Sequence, residues 1–225
     1  MILEKSSRQQ INIYYDLYVP DGVLEGRRPL LIALHGYEGS KESMMALALK
    51  INSNDLIVAS VQGPSAFFVR EGESRTSGKI GFGWMMQYKA HDTIDLHHRT
   101  LLSVIEAADK AFVIDRHSIF LLAFSQTVSL NYRFAFTHPG MIRGVVAVCG
   151  GIPGDWDEDK YQNSDTDVLI IAGETDEFYP IQKTRGFKNA MTRRARSVDF
   201  HSFPVGHLFP RESLPLIGEW IQARS

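Results

Sequence analysis

The stretch S-I-F-L-L-A-F-S-Q-T-V-S-L-N-Y-R-F, residues 118–134, decides how the rest of the chain is read. Ile119 to Phe124 is an unbroken apolar run. It is too short for a helix and suits a strand covered on both faces, as in the middle of a parallel sheet. After it the pattern changes: Val128, Leu130, Tyr132, Phe134 and Ala135 recur at roughly helical spacing up to Thr137, ahead of Pro139. A strand therefore feeds a helix, and Ser125 sits in the turn between them. A tight turn of this kind lifts a hydroxyl above the sheet edge, at the N-terminus of the following helix, where it can act as a nucleophile. The pattern usual for such an elbow is G-x-S-x-G, and here Ala123 and Thr127 take both glycine positions. The glycines serve a strained turn and a close helix crossing, so the branched Thr127 is expected to widen the elbow.

Upstream, Pro29 opens a buried run, Leu30 to Leu34, that stops at His35-Gly36-Tyr37-Glu38-Gly39. Ser40 is the expected N-cap of a helix reaching Lys50 or Ile51, with Met44, Met45, Leu47, Ala48 and Ile51 on its apolar side. Leu56 to Val61 reads as the next strand, ended by Gln62-Gly63-Pro64. Before all of these, Ile11 to Val19 alternates in part and stops at Pro20-Asp21-Gly22. It reads as an antiparallel edge strand, with Met1 to Lys5 as a candidate partner. Pro64 to Lys89 shows no period and reads as one long loop, a kind of segment that usually carries function. A helix from Thr93 to Lys110 follows, and Asp115-Arg116-His117 reads as the turn into the Ser125 strand.

Downstream, Gly144 to Val148 and Val168 to Ala172 are further strands, ending at Cys149-Gly150-Gly151 and Gly173-Glu174-Thr175-Asp176. Pro180 opens a helix to about Ala195, Ser197 to Phe203 is the last strand, and Leu214 to Ala223 closes the chain as a helix. Strands alternating with helices imply a mostly parallel sheet with helices on both faces.

The chain has 225 residues, 44% of them hydrophobic, which suits one α/β domain over 1–225. A formal net charge of -2 gives no electrostatic reason to expect nucleic acid or an anionic membrane as a partner. Arg193, Arg194 and Arg196 read as a solvated face late in a helix. Cys149 is the single cysteine, which excludes an intrachain disulfide and a Cys-rich metal site; it reads as a small buried filler. The N-terminus lacks the apolar core of a signal peptide and no run reaches membrane-spanning length, so a cytoplasmic protein without membrane insertion is expected. The sequence leaves a homo-oligomer open.

In open α/β sheets, ligands bind beyond the carboxyl ends of the strands. His35-Gly36-Tyr37, Ser125, Asp176 and His207 all fall at such ends, so they are expected on one rim. Each has a plain alternative: a turn serine, a capping carboxylate, a loop histidine. Together they suit nucleophilic catalysis. A serine hydroxyl needs a base, histidine can take its proton and return it, and a carboxylate fixes the imidazole tautomer. A developing oxyanion needs two backbone N–H donors, for which Gln126 and Tyr37 are the candidates, acting through the main chain. For an apolar acyl or alcohol pocket the candidates are Phe67, Phe68, Trp84 and Met85 of the long loop. The alternative is that these residues form a small core of that loop. Arg70, Glu71, Glu73, Arg75 and Lys79 read as its solvated tip, and the adjacent His97 and His98 as surface residues.

With L-H-G-Y-E-G (34–39), V-Q-G-P (61–64), A-F-S-Q-T (123–127), C-G-G-I-P (149–153), A-G-E-T-D-E-F-Y-P (172–180) and V-G-H (205–207) in view, the chain resembles the phospholipase/carboxylesterase branch of the α/β-hydrolases. That group holds acyl-protein thioesterases and small bacterial carboxylesterases. More distantly it is similar to dienelactone hydrolases and to the catalytic domains of prolyl oligopeptidases. The resemblance implies an α/β-hydrolase fold and hydrolysis of esters or thioesters without metal or organic cofactor. The compact chain is expected to carry no separate cap domain, which suggests an accessible cleft and small to medium carboxylic esters. It also implies a tryptophan near the site, which favours Trp84. If the usual strand order holds, the long loop leaves the strand beside the Ser125 strand and overhangs the nucleophile. Acyl thioesters or small amides as substrates, or a weakly active homologue acting as a binding protein, remain alternatives.

Overall fold

The computed structural model describes residues 1–7, 9–20, 27–52, 54–69, 78–84, 88–112 and 114–225. In chain order the elements are β1 (Tyr15–Tyr18), β2 (Arg28–Leu34), α1 (Lys41–Ile51), β3 (Ile57–Val61), β4 (Ser65–Phe68), β5 (Ile80–Gly83), α2 (Ala90–Ala111), β6 (Ile114–Phe124), α3 (Gln126–Thr137), β7 (Gly144–Val148), β8 (Ser164–Gly173), α4 (Ile181–Met191), β9 (Ala195–Phe203) and α5 (Leu214–Gln222). Seven strands form one sheet in the order β1-β3-β2-β6-β7-β8-β9. Its members run parallel except β1, which pairs antiparallel with β3 at the edge.

The apolar runs in the central strands follow from this position. Alternate residues of each strand point to opposite faces, and both faces are covered. Leu30, Ile32 and Leu34 of β2 face a core closed by α2 and α3, through residues such as Leu101, Val104, Val128 and Leu130. Leu31 and Ala33 of the same strand face a second core closed by α1 and α5, through Met44, Ala48, Leu214, Ile217 and Trp220. Ser40 caps α1 as expected, in a reciprocal arrangement with Ser43. Such a cap stabilises a helix by about 1 kcal/mol.

The structure departs from the sequence reading at several elements. The segment after Pro64 contains a β4–β5 hairpin, with Ser65 opposite Gly83 and Phe68 opposite Ile80. Four-residue strands that are partly exposed leave too little periodicity to register. The edge strand is confined to Tyr15–Tyr18 and its partner is β3 rather than Met1 to Lys5, which lie outside the strands. Asp115, Arg116 and His117 belong to β6 itself, where the Asp115 carboxylate accepts bonds from the His117 amide and the Ser118 hydroxyl.

Helix α4 stops at Met191, before the arginines. Arg196 lies in β9 and pairs with Asp167 of β8, which also receives Arg143 and Arg224. Burial alone would raise the Asp167 carboxyl, but the bonds from Arg196, Ser197 and Arg143 outweigh it and hold it well below the usual carboxylate range. This carboxylate joins the lower ends of three strands to the C-terminal segment. His97 is fully buried between α2 and α3, bonded through Nε2 to the Asn131 side-chain oxygen at 3.1 Å, and is not a surface residue. Its neighbour His98 is largely covered and packs edge-on against Phe134. No described helix is long and apolar enough to cross a membrane.

Candidate active site

Ser125 follows the last residue of β6 with φ 57° and ψ -113°, a conformation unusual for any residue with a Cβ. Its backbone is fixed from both sides. The Ser125 amide donates to the Val148 carbonyl at 2.9 Å, and its own carbonyl accepts from the Val128 amide at 3.1 Å. Although it stands at the N-cap of α3, its hydroxyl makes no capping bond. Instead Oγ lies 2.7 Å from His207 Nε2.

Thr127, in the glycine position, is accommodated rather than expelled. It is fully buried, and its Oγ1 lies 3.2 Å from the Leu34 carbonyl and 3.1 Å from the Phe124 carbonyl. The hydroxyl supplies a donor at the ends of β2 and β6 and so offsets the bulk of the branch.

His207 comes from the loop after β9 and Asp176 from the loop after β8. Asp176 Oδ2 is 2.9 Å from His207 Nδ1, while Oδ1 accepts from the amides of Phe178 and Tyr179, both at 2.9 Å. The carboxylate side chain is fully buried, and with three bonds its orientation is determined. Rings of Phe124, Phe178 and Tyr179 pack around the imidazole at centroid distances of 5.2, 4.8 and 5.7 Å. The two loops approach closely because Gly173 has no side chain: a Cβ there would fall 2.4 Å from the Gly206 carbonyl oxygen.

The loop after β2 reaches the same place. His35 is buried; its Nε2 accepts from the Gly63 amide at 2.8 Å, which leaves Nδ1–H to donate to the Gly36 carbonyl at 2.7 Å. Burial lowers the His35 pKa and keeps the ring neutral, as this bonding requires. A Cβ on Gly36 would fall 3.1 Å from Ser125 Cβ, so glycine is what lets this loop lie against the elbow. Tyr37 follows, exposed, with its ring stacked on Phe67 at 4.7 Å. Gln126 opens α3, and its side chain is engaged, accepting the Trp84 amide on Oε1 at 2.8 Å. The elbow is thereby tied to the end of the β4–β5 hairpin.

Ser125, Gln126, His207 and Tyr37 line one cleft of about 1120 Å³. Its apolar wall is built from Phe124, Ile152, Phe178, Tyr179 and Phe187. The aromatics expected to form it lie elsewhere. Trp84 is buried edge-on against His97, Phe67 reaches the cleft only through Tyr37, and Phe68 is exposed; Met85 is outside the described residues. The cause is strand order. The hairpin leaves β3, and β2 stands between β3 and β6, so it does not overhang the Ser125 strand as expected. The sequence signal for the actual wall is the aromatic pair Phe178-Tyr179, two and three positions after Asp176. Cys149, also on this rim, is buried with its thiol pushed up to about 12 by desolvation and by the neighbouring Asp176 charge, which leaves it inert.

A mostly parallel seven-stranded sheet, helices on both faces and a serine raised on a strand-to-helix elbow define an α/β-hydrolase. The chain belongs to the phospholipase/carboxylesterase family, whose model matches residues 25–225, and is a carboxylesterase-family hydrolase. Among solved structures it is similar to the Bacillus cereus carboxylesterase, at 19% identity and a TM-score of 0.71 over 95% of both chains. It is also similar to esterase PE8, at 17% identity and a TM-score of 0.73 over 96% of this chain and 100% of that one. The carboxylesterase from Mesorhizobium loti is 20% identical, with a TM-score of 0.70 over 92% and 93% of the two chains. At these identities the likeness speaks for the fold. No curated protein matches the sequence.

Proposed function

We propose that the protein is a serine carboxylesterase that cleaves small to medium carboxylic esters through an acyl-enzyme on Ser125. The observation that carries this reading is the continuous hydrogen-bond path from Ser125 Oγ through His207 to the buried Asp176. In the first step Oγ attacks the ester carbonyl carbon while its proton passes to His207 Nε2. The carbonyl becomes a tetrahedral oxyanion, for which the backbone amides of Tyr37 and Gln126 are the donors. Collapse breaks the bond to the alcohol oxygen, which takes the proton from His207 and leaves. A water then repeats the sequence on the acyl-enzyme, releasing the acid and restoring the serine. Asp176 holds Nδ1–H toward itself throughout, so that Nε2 is the free base.

Hydrolysis of short p-nitrophenyl esters tests this. The wild-type chain is expected to turn them over, and Ser125→Ala or His207→Ala to lower kcat by up to about a millionfold, with the double variant no worse than either single one. Activity retained by Ser125→Ala would rule the reading out.

A further inference from the structure

Two residues of opposite charge type line the cleft, the acidic Glu38 and the basic Lys183. They lie on opposite sides of the nucleophile. Glu38 belongs to the loop after β2, Lys183 to the first turn of α4 after β8, and β6 runs between β2 and β8 in the sheet. The cleft is therefore polarised across Ser125. Lys183 is held on its aromatic wall, with Nζ 5.8 Å from the centre of the Phe187 ring. That wall closes tightly on the loop after β7: a Cβ on Gly151 would fall 2.9 Å from the Tyr179 ring and 3.3 Å from the Phe187 ring.

Local structure gives no reason for a cation at this position. Among the described residues Lys183 has no ion-pair partner, and α4 has no acid in its first turn. The first turn of a helix is the positive end of its dipole, where a lysine is disfavoured and a carboxylate preferred. A positive charge kept there, unpaired, beside an apolar wall and in the same cleft as the serine, suits a ligand that is partly apolar and ends in an anion.

We propose that Lys183 selects esters bearing a carboxylate, with the ester carbonyl at Ser125 and the carboxylate against the Lys183 ammonium. This rests on the esterase reading above. The end of β8 is two strand spacings, roughly 10 Å, from the end of β6, so the apolar chain joining ester and carboxylate is of medium length rather than the shortest. Glu38 repels the same carboxylate from the opposite side and so fixes the direction in which the substrate lies. The acyl part and the alcohol part are both able to carry the anion, and the experiment separates them.

The test compares kcat/KM for matched pairs of esters. One pair is p-nitrophenyl hexanoate and the p-nitrophenyl monoester of adipic acid, with the charge in the acyl part. The other is the acetate ester of hexanol and that of 6-hydroxyhexanoate, followed by acid release, with the charge in the alcohol part. The expected result is a preference for the anionic member of one pair, reduced about fivefold by Lys183→Gln, as for an exposed ion pair. Lys183→Glu should reverse the preference, and added salt should weaken it. Hydrolysis of the neutral esters with no preference in either pair, or a preference that Lys183→Gln leaves intact, overturns this inference and leaves the esterase reading standing. Failure to hydrolyse any of the four esters overturns both.

Discussion

Gly173 shows how a single hydrogen atom in place of a methyl group can decide whether two loops meet. Asp176 and His207 are three and thirty-four positions away along the chain, on the loops after β8 and β9, and are bonded at 2.9 Å. The backbones that carry them cross where a Cβ on Gly173 would lie 2.4 Å from the Gly206 oxygen and 2.7 Å from the Val205 oxygen. A methyl group there displaces main chain, not a movable side-chain end, and moves the imidazole away from its carboxylate. Gly173→Ala is therefore expected to lower kcat by about a hundredfold or more, since a shift near 1 Å suffices for that. Gly186, on α4, has open space around the same position, so Gly186→Ala should retain normal kinetics. Ester hydrolysis and circular dichroism on both variants check this; equal activity in the two would show that the close crossing does not matter. Thr127 teaches the converse. Its branch falls where a glycine is usual, and its hydroxyl finds the carbonyls of Leu34 and Phe124, so the expected cost of bulk is met by a new bond.

At the scale of elements, the elbow helix is anchored by polar contacts as well as by its apolar face. Asn131 of α3 bonds His97 of α2, and Gln126 of α3 bonds the Trp84 amide at the end of β5. Burial, with a smaller contribution from His98, pushes His97 down to about 3, and burial with the His138 charge takes His98 to about 4. Both are neutral in the folded state over a range in which the unfolded chain is protonated. Stability from these rings is thus complete above about 6.5, the unfolded value, and is lost as pH falls toward their folded values. The slope amounts to about 1.4 kcal/mol per pH unit for each histidine. Urea unfolding of the wild type is expected to show declining stability from pH 6.5 to 4.5. His97→Gln, which can still bond Asn131, should show a shallower decline, and identical slopes would contradict the account.

These same elements mark where a sequence can be read and where it cannot. The buried strands announce themselves because a parallel strand covered on both faces must be apolar throughout, as Leu30 to Leu34 and Ile119 to Phe124 are. The β4–β5 hairpin is silent because it lies outside that sheet and is partly exposed. Adjacent on one helix, His97 and His98 point different ways, and only the packing of α2 on α3 decides which of the pair is enclosed. Arg196 gives no such sign, because its place in β9 goes with a pairing to Asp167 of the neighbouring strand, far from it along the chain.

For the molecule as a whole, Ser125, Asp176 and His207 converge because successive parallel strands all end on one rim, and the sheet order places β6 at its centre. Ser125, Asp176 and His207 were legible from their positions after strands, since chain order and strand polarity alone put them on that rim. The wall of the cleft was not, because it depends on lateral strand order: β2 intervenes between β3 and β6, and the aromatics of the hairpin are carried to one side. The central claim is that Ser125 Oγ is the atom that attacks. Treatment with a fluorophosphonate followed by mass spectrometry of the digested protein tests it most directly. The account predicts one phosphonylated residue, Ser125, with labelling slowed strongly in His207→Ala. Ester turnover by a chain that takes no label at Ser125, or takes it at another residue, would contradict it.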